Sequence, residues 1–277
     1  MISHVLQWTQ LVKLSCKRSS AFVPSAALLQ VQERFSPDLA VRWNCKAGKC
    51  GSCSAEINGY PLLLCKTRID SLPAGQPITV QPMQTFARIK DLVTDVSSNY
   101  EINRELPPFP PRERSEWKWF QRDITRVQEM RKCIECFLCQ DVCHVLRYQR
   151  TEKPRYAGPR FYVRAAGLDY HPLDDRDRLG YLRDEAGIEL CNVTRCCTVV
   201  CPEGIRITDN AIIPAKERIV DRYADPHQGI AAPNIPPLGL HYDVVLSLML
   251  CVLHGYVDDA ILDEHLVTGL GLDRRQC

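Results

Sequence analysis

The chain has 277 residues, 45% hydrophobic and 25% charged, which suffices for two ordinary domains and excludes a disordered or fibrous protein. Its 35 basic and 33 acidic side chains leave a formal charge of +2, so no global field points to nucleic acid or to anionic lipid. Cysteine is the outlier: of fifteen, eleven fall in three groups, Cys45 to Cys65, Cys133 to Cys143 and Cys191 to Cys201, apart from Cys16, Cys196, Cys251 and Cys277.

Nothing at the N-terminus reads as a secretory h-region, and cysteines spaced two apart suit a metal better than a disulfide framework, so a reducing compartment is expected. The first acidic residue is Glu33; with Lys13, Lys17, Arg18 and several serines before it, the opening has the composition of a mitochondrial transit peptide as well as that of an ordinary strand region. Helix-like spacing over about Ala26 to Leu39, interrupted at Pro37, predicts a short helix leading into the first cysteine loop. The turn cluster Leu72-Pro73-Ala74-Gly75 and a strand over Ile78 to Pro82 then close an α+β unit.

The run Leu106-Pro107-Pro108-Phe109-Pro110-Pro111 removes four donors and fixes φ, so it reads as a stiff extended connector. Beyond it, helices are expected over Glu116 to Lys132, around Arg164 to Ala186 and over Asn210 to Tyr223, which makes the second part mostly α. The expected division is 1–105, 106–228 and a C-terminal tail 229–277 of unknown role. In that tail the apolar run Val244 to Leu253 is too short for a span, which needs about 20 residues, and reads as a packing helix.

The first cysteine group, Cys45, Cys50, Cys53 and a distant Cys65, has the C-x4-C-x2-C spacing of plant-type 2Fe-2S ferredoxins. Four thiolates must converge on one small anionic centre, and Gly48 and Gly51 remove the Cβ atoms that would obstruct the loop. A structural zinc site would use two separated C-x2-C pairs. The second group, Cys133, Cys136, Cys139 and Cys143, is the C-x2-C-x2-C-x3-C run of two-cluster ferredoxins, in which the fourth cysteine ligates the other cluster.

A second copy begins at Cys191, and the same ruler falls on Cys191, Thr194, Cys197 and Cys201, followed by Pro202. Crossing the fourth ligands gives Cys133, Cys136, Cys139 and Cys201 to a 4Fe-4S site. Cys143, Cys191 and Cys197 remain, with Thr194 where a thiolate is missing, and this suits 3Fe-4S. Cys196 would break the x3 step to Cys201, so it is read, with Cys16, Cys251 and Cys277, as apolar filler or a spare thiol.

A plant-type loop followed by a threonine-interrupted double motif closely resembles the iron-sulfur subunit of succinate dehydrogenase and fumarate reductase, of actinobacterial type. Residues 42–50, 131–139, Ala157-Gly158-Pro159-Arg160-Phe161 and Thr208 to Pro214 carry the resemblance, which runs from about residue 26 to about 226. It implies an α+β chain: a β-grasp ferredoxin domain, then an all-α domain like a bacterial two-cluster ferredoxin. It also implies an FAD-containing catalytic partner subunit, membrane-anchor subunits and a menaquinone or ubiquinone beside the 3Fe-4S cluster. The chain then transfers electrons and supplies no acid or base. Its place is peripheral, on the cytoplasmic face of the plasma membrane or the matrix side of the mitochondrial inner membrane.

Departures fall near the third cluster. Many relatives have proline after the counterpart of Cys143 and tryptophan shortly beyond, where this chain has His144 and Tyr148, and a histidine elsewhere is Asn192 here. His144, Arg147, Tyr148, Asn192 and Thr194 are therefore the candidate quinone contacts, each equally readable as packing. The family's N-terminal β-hairpin is not evident in residues 1–25. Other readings are the corresponding subunit of another flavin-linked dehydrogenase, a soluble ferredoxin-like carrier, and a structural zinc protein.

Overall fold

A computed structural model describes residues 23–74, 76–110 and 120–224. Helix α1 (Pro24–Arg34) starts on a proline, whose missing amide would have no partner in a first turn anyway. It stops short of the expected Leu39, because Pro37 biases the residue before it away from helix. The chain then wraps the first cysteine loop and enters an antiparallel hairpin, β1 (Ser54–Ile57) and β2 (Tyr60–Leu63). Asn58 and Gly59 turn it at φ 51° and 82°, the left-handed pair that a two-residue hairpin demands.

β3 (Val80–Gln81) pairs with the free edge of β1, giving the order β2-β1-β3. The strand expected over Ile78 to Pro82 shrinks to those two residues; Pro82 has no amide to extend the ladder. A second hairpin, β4 (Arg88–Lys90) with β5 (Val93–Thr94), precedes α2 (Ser97–Glu105).

The proline-rich connector has no regular structure between Leu106 and Pro110, as its composition requires. Arg178, fully buried, holds it: Nε donates to Pro107 O at 2.9 Å and Nη2 to Pro108 O at 3.2 Å. The remaining donors reach Asp169, Asp174 and Arg176 O, so the whole guanidinium fork is satisfied.

The helices that follow are α3 (Gln121–Arg131), α4 (Leu138–Asp141), α5 (His144–Tyr148), α6 (Pro159–Asp169), α7 (Leu179–Asp184), α8 (Cys196–Val199) and α9 (Ile213–Ala224). α6 supplies the centre of this part, with Phe161, Tyr162, Val163 and Ala165 buried, and α3 packs on it where Gly167 lies against Met130. The single helix expected over Arg164 to Ala186 is two, α6 and α7, since Pro172 interrupts it. α9 is entered through a π-helical turn, Thr208–Ile212. Pro214 cannot donate to Asn210 O, and the Tyr170 hydroxyl takes that place at 2.5 Å.

The two cysteine-bearing parts interlock. Cys53, Ala55, Ile57 and Leu63 share one core with Cys136 and Leu138, and Ser54 Oγ donates to Cys136 O at 2.8 Å. Buried Glu56 on β1 accepts from Arg147 Nη2 at 2.7 Å, and Thr85 N donates to buried Asp141 Oδ1 at 3.0 Å. The described residues to Arg218 form one compact unit, and a second unit begins at Ile219. The N-terminal stretch and the apolar run Val244 to Leu253 lie outside the described residues.

Candidate metal centres

The first loop is built from left-handed residues, Lys46, Gly48 and Gly51, which turn successive amides toward the sulfurs. Ala47 N and Lys49 N donate to Cys45 Sγ at 3.4 and 3.2 Å, and Gly48 N donates to Cys65 Sγ at 3.2 Å. The Ala47 and Lys49 amides bring the exposed Cys45 thiol down to about 7, whereas burial pushes Cys53 up to about 12. Cys45 feels Cys50, and Cys53 feels both Cys50 and Cys65, so the four are electrostatic neighbours. A Cβ on Gly51 would stand 2.7 Å from Cys136 Cα and 2.8 Å from Ile134 O. Glycine therefore lets the first loop touch the second.

The runs Cys133–Cys143 and Cys191–Cys201 have one backbone. Glu135 and Phe137 flank Cys136 at φ 55° and 60°; Val193 and Arg195 flank Thr194 at 55° and 66°. The left-handed residues Phe137 and Arg195 then start α4 and α8. Thr194 thus occupies the place of Cys136, and Cys196 that of Leu138, both 1% exposed. Cys196 Sγ lies 3.5 Å from His144 Nε2.

Cys133, Cys136, Cys139 and Cys201 line one hollow with Arg160, Val163, Ile205 and Ile207, and each of the first three thiols feels Cys201. Burial pushes all three up, Cys136 to about 12, while the Arg160 guanidinium pulls Cys133 back down. Cys143, Cys191 and Cys197 form the other set: Cys197 is pushed up to about 11 by burial and feels Cys143 and Cys191. Hydroxyls meet this set, Tyr156 Oη 3.7 Å from Cys143 Sγ and Thr208 Oγ1 3.4 Å from Cys197 Sγ. Among the described residues no three His, Cys, Asp or Glu side chains close on a single ion. The fit is to polynuclear clusters. Cysteines converging around an apolar hollow in the second set, and backbone amides on the sulfurs of the first, suit iron-sulfur centres that displace thiol protons, whereas a zinc ion needs its sulfurs drawn together.

The predicted quinone contacts divide. His144, half-buried, and Tyr148, 71% exposed, lie on α5 with ring centroids 6.2 Å apart, and Asn192 and Thr194 are exposed on the second run. Arg147 is engaged by Glu56, across the seam between the two parts. Glu56 is pushed up to about 7, by burial first and the neighbouring Asp141 carboxyl second, with Arg147 opposing. Sequence reasoning attached no role to Arg160, Tyr156 or Thr208. Arg160 and Thr208 sit in segments that carried the family resemblance; Tyr156 had no sequence signal, because folding alone brings its hydroxyl to the Cys143 thiol.

A family model described as a 2Fe-2S iron-sulfur cluster binding domain matches residues 6–101, so it takes in the stretch whose composition also fits a leader. A second, described as a 4Fe-4S dicluster domain, matches residues 129–205. The chain is 32% identical over 190 residues to the fumarate reductase iron-sulfur subunit of Mycobacterium tuberculosis, covering 64% of this chain and 73% of that one. It is 29% identical over 202 residues to an uncharacterised iron-sulfur protein of Methanococcus maripaludis, covering 69% of this chain but 38% of that longer one. Among solved structures, a chain of the Mycobacterium smegmatis Sdh1 complex in the apo form is 54% identical, with a TM-score of 0.72 over 75% of this chain and 88% of that one.

Proposed function

Since the chain belongs to the family of succinate dehydrogenase and fumarate reductase iron-sulfur subunits, we propose that it is the electron-transfer subunit of a succinate:quinone oxidoreductase. The observation that carries this is the pairing of a plant-type loop with two superimposable cysteine runs that differ by Thr194 in the place of Cys136. Cys45, Cys50, Cys53 and Cys65 hold 2Fe-2S; Cys133, Cys136, Cys139 and Cys201 hold 4Fe-4S; Cys143, Cys191 and Cys197 hold 3Fe-4S. When bound, these clusters supply one-electron redox centres between the FAD of a partner subunit and a membrane quinone.

The chain's own residues support the order 2Fe-2S, 4Fe-4S, 3Fe-4S. The amides of Ala47, Gly48 and Lys49 hold the first set of sulfurs. Gly51 keeps the first loop against the second, and the crossed ligands Cys143 and Cys201 tie the two runs together. His144, Tyr148, Asn192 and Thr194 form the quinone side, with Arg147 holding α5 through Glu56. A β-grasp first domain, a helical second domain from the connector onward and a separate tail fit this division. Among the described residues no helix is long and apolar enough to cross a membrane. Attachment is through anchor subunits, as the family resemblance implies.

Purification of the intact complex tests this. A flavoprotein and anchor subunits should co-purify, and the preparation should reduce quinone with succinate or fumarate with quinol. A monodisperse monomer carrying electrons without either partner would contradict it.

A further inference from the structure

Arg160 is a charge buried without enough partners. Its side chain is 6% exposed, and it lines the hollow shared by Cys133, Cys136, Cys139 and Cys201. Nη2 pairs with the Glu135 carboxylate, whose side chain is 40% exposed, but buried Nε and Nη1 have no hydrogen-bond partner. A guanidinium left so is costly unless an anion meets its free donors.

The surroundings aim it. Gly158, at φ 92°, leaves no room for a side chain, since a Cβ would fall 2.1 Å from Gln140 Oε1. That glutamine also accepts from Arg160 N at 3.3 Å, and Pro159 starts α6, so the arginine enters its first turn with backbone fixed. Among the described residues the other cysteine set has no buried arginine of this kind. The hydroxyls of Tyr156 and Thr208 meet it, and the nearby cation Lys216 is taken up by Cys191 O at 2.7 Å.

We propose that Arg160 raises the reduction potential of the 4Fe-4S centre, its two unpartnered donors meeting the cluster's anionic sulfurs and favouring the reduced form. An iron-thiolate cluster gains negative charge on reduction, and hydrogen bonds and charge near the sulfurs are among the levers that set its potential. The proposal rests on the assignment of those four cysteines to 4Fe-4S.

The test is a redox titration of the intact complex, following each cluster by its EPR signal. Arg160→Gln should disfavour reduction of the 4Fe-4S centre about tenfold, a midpoint lower by about 59 mV for one electron. The 2Fe-2S and 3Fe-4S midpoints should stay in place, and Arg160→Lys should recover part of the shift. An unmoved midpoint in Arg160→Gln, with the cluster at full content, would overturn the proposal. If that variant loses the cluster, wild-type complex with 15N-labelled arginine decides by pulsed EPR: nitrogen coupling to the reduced 4Fe-4S centre is expected, and its absence overturns the proposal. A wild-type complex with no reduced 4Fe-4S signal would instead overturn the cluster assignment, and the proposal with it.

Discussion

The runs Cys133–Cys143 and Cys191–Cys201 share their left-handed turns and their short helices, yet they offer different ligands. Where the first has Cys136 the second has exposed Thr194, and where the first buries Leu138 the second buries Cys196. The comparison separates two causes of burial and exposure. A cysteine can be buried because the backbone repeats an apolar packing position, and a ligand position can be kept by backbone with no sulfur in it. On the division of ligands proposed above, Cys196 is the first case and Thr194 the second.

The comparison breaks most severely at the crossed ligands. Cys201→Ala should abolish the 4Fe-4S signal although it lies in the second run, and Cys143→Ala should abolish the 3Fe-4S signal although it lies in the first. EPR of each purified variant would check this; loss of the cluster belonging to the variant's own run would refute the crossing.

The seam that orients both runs is the next place to press. Removing one partner of the Glu56–Arg147 pair, as in Arg147→Met, should cost about 3–5 kcal/mol above pH 7, where Glu56 is ionised, read by denaturant or thermal unfolding. The same pair has a pH signature. Because the folded-state value of Glu56 is raised to about 7 from an ordinary 4.5, the stability it contributes is fullest below pH 4.5 and is lost as pH rises through 7. Glu56→Gln should flatten that slope, and an unchanged slope would assign it to another group. A smaller effect is expected for Gly51→Ala, about 1–3 kcal/mol, since the new methyl would overlap Cys136 Cα in a left-handed backbone. Smallest is Cys196→Ala, about 1 kcal/mol with every cluster kept.

The cysteine ruler is legible without coordinates because sulfurs on one inorganic centre must be spaced along the chain to reach it. The helix starting near Ala26 and the extended connector are legible for equally local reasons, a periodicity and a proline run. What lies deeper depends on distant pairing. Glu56 and Arg147 stand 91 residues apart in the chain, and nothing local marks either as the other's partner. The Asn58-Gly59 turn was readable, but four-residue strands on either side are too short for alternation to show, and β1 is buried throughout. The break between α6 and α7 follows from Pro172, which helical periodicity alone passes over. Arg160 is visible as a residue but not as a buried cation with two unpartnered nitrogens, which requires the hollow to be seen.

The most direct measurement is EPR of the oxidised complex in three forms: wild type, Thr194→Cys and Cys196→Ser. The wild type should show the paramagnetic signal of a 3Fe-4S centre, Thr194→Cys should convert it toward 4Fe-4S and remove that signal, and Cys196→Ser should leave it intact. A signal that survives Thr194→Cys, or one that is lost in Cys196→Ser, would contradict the division of ligands on which the account stands.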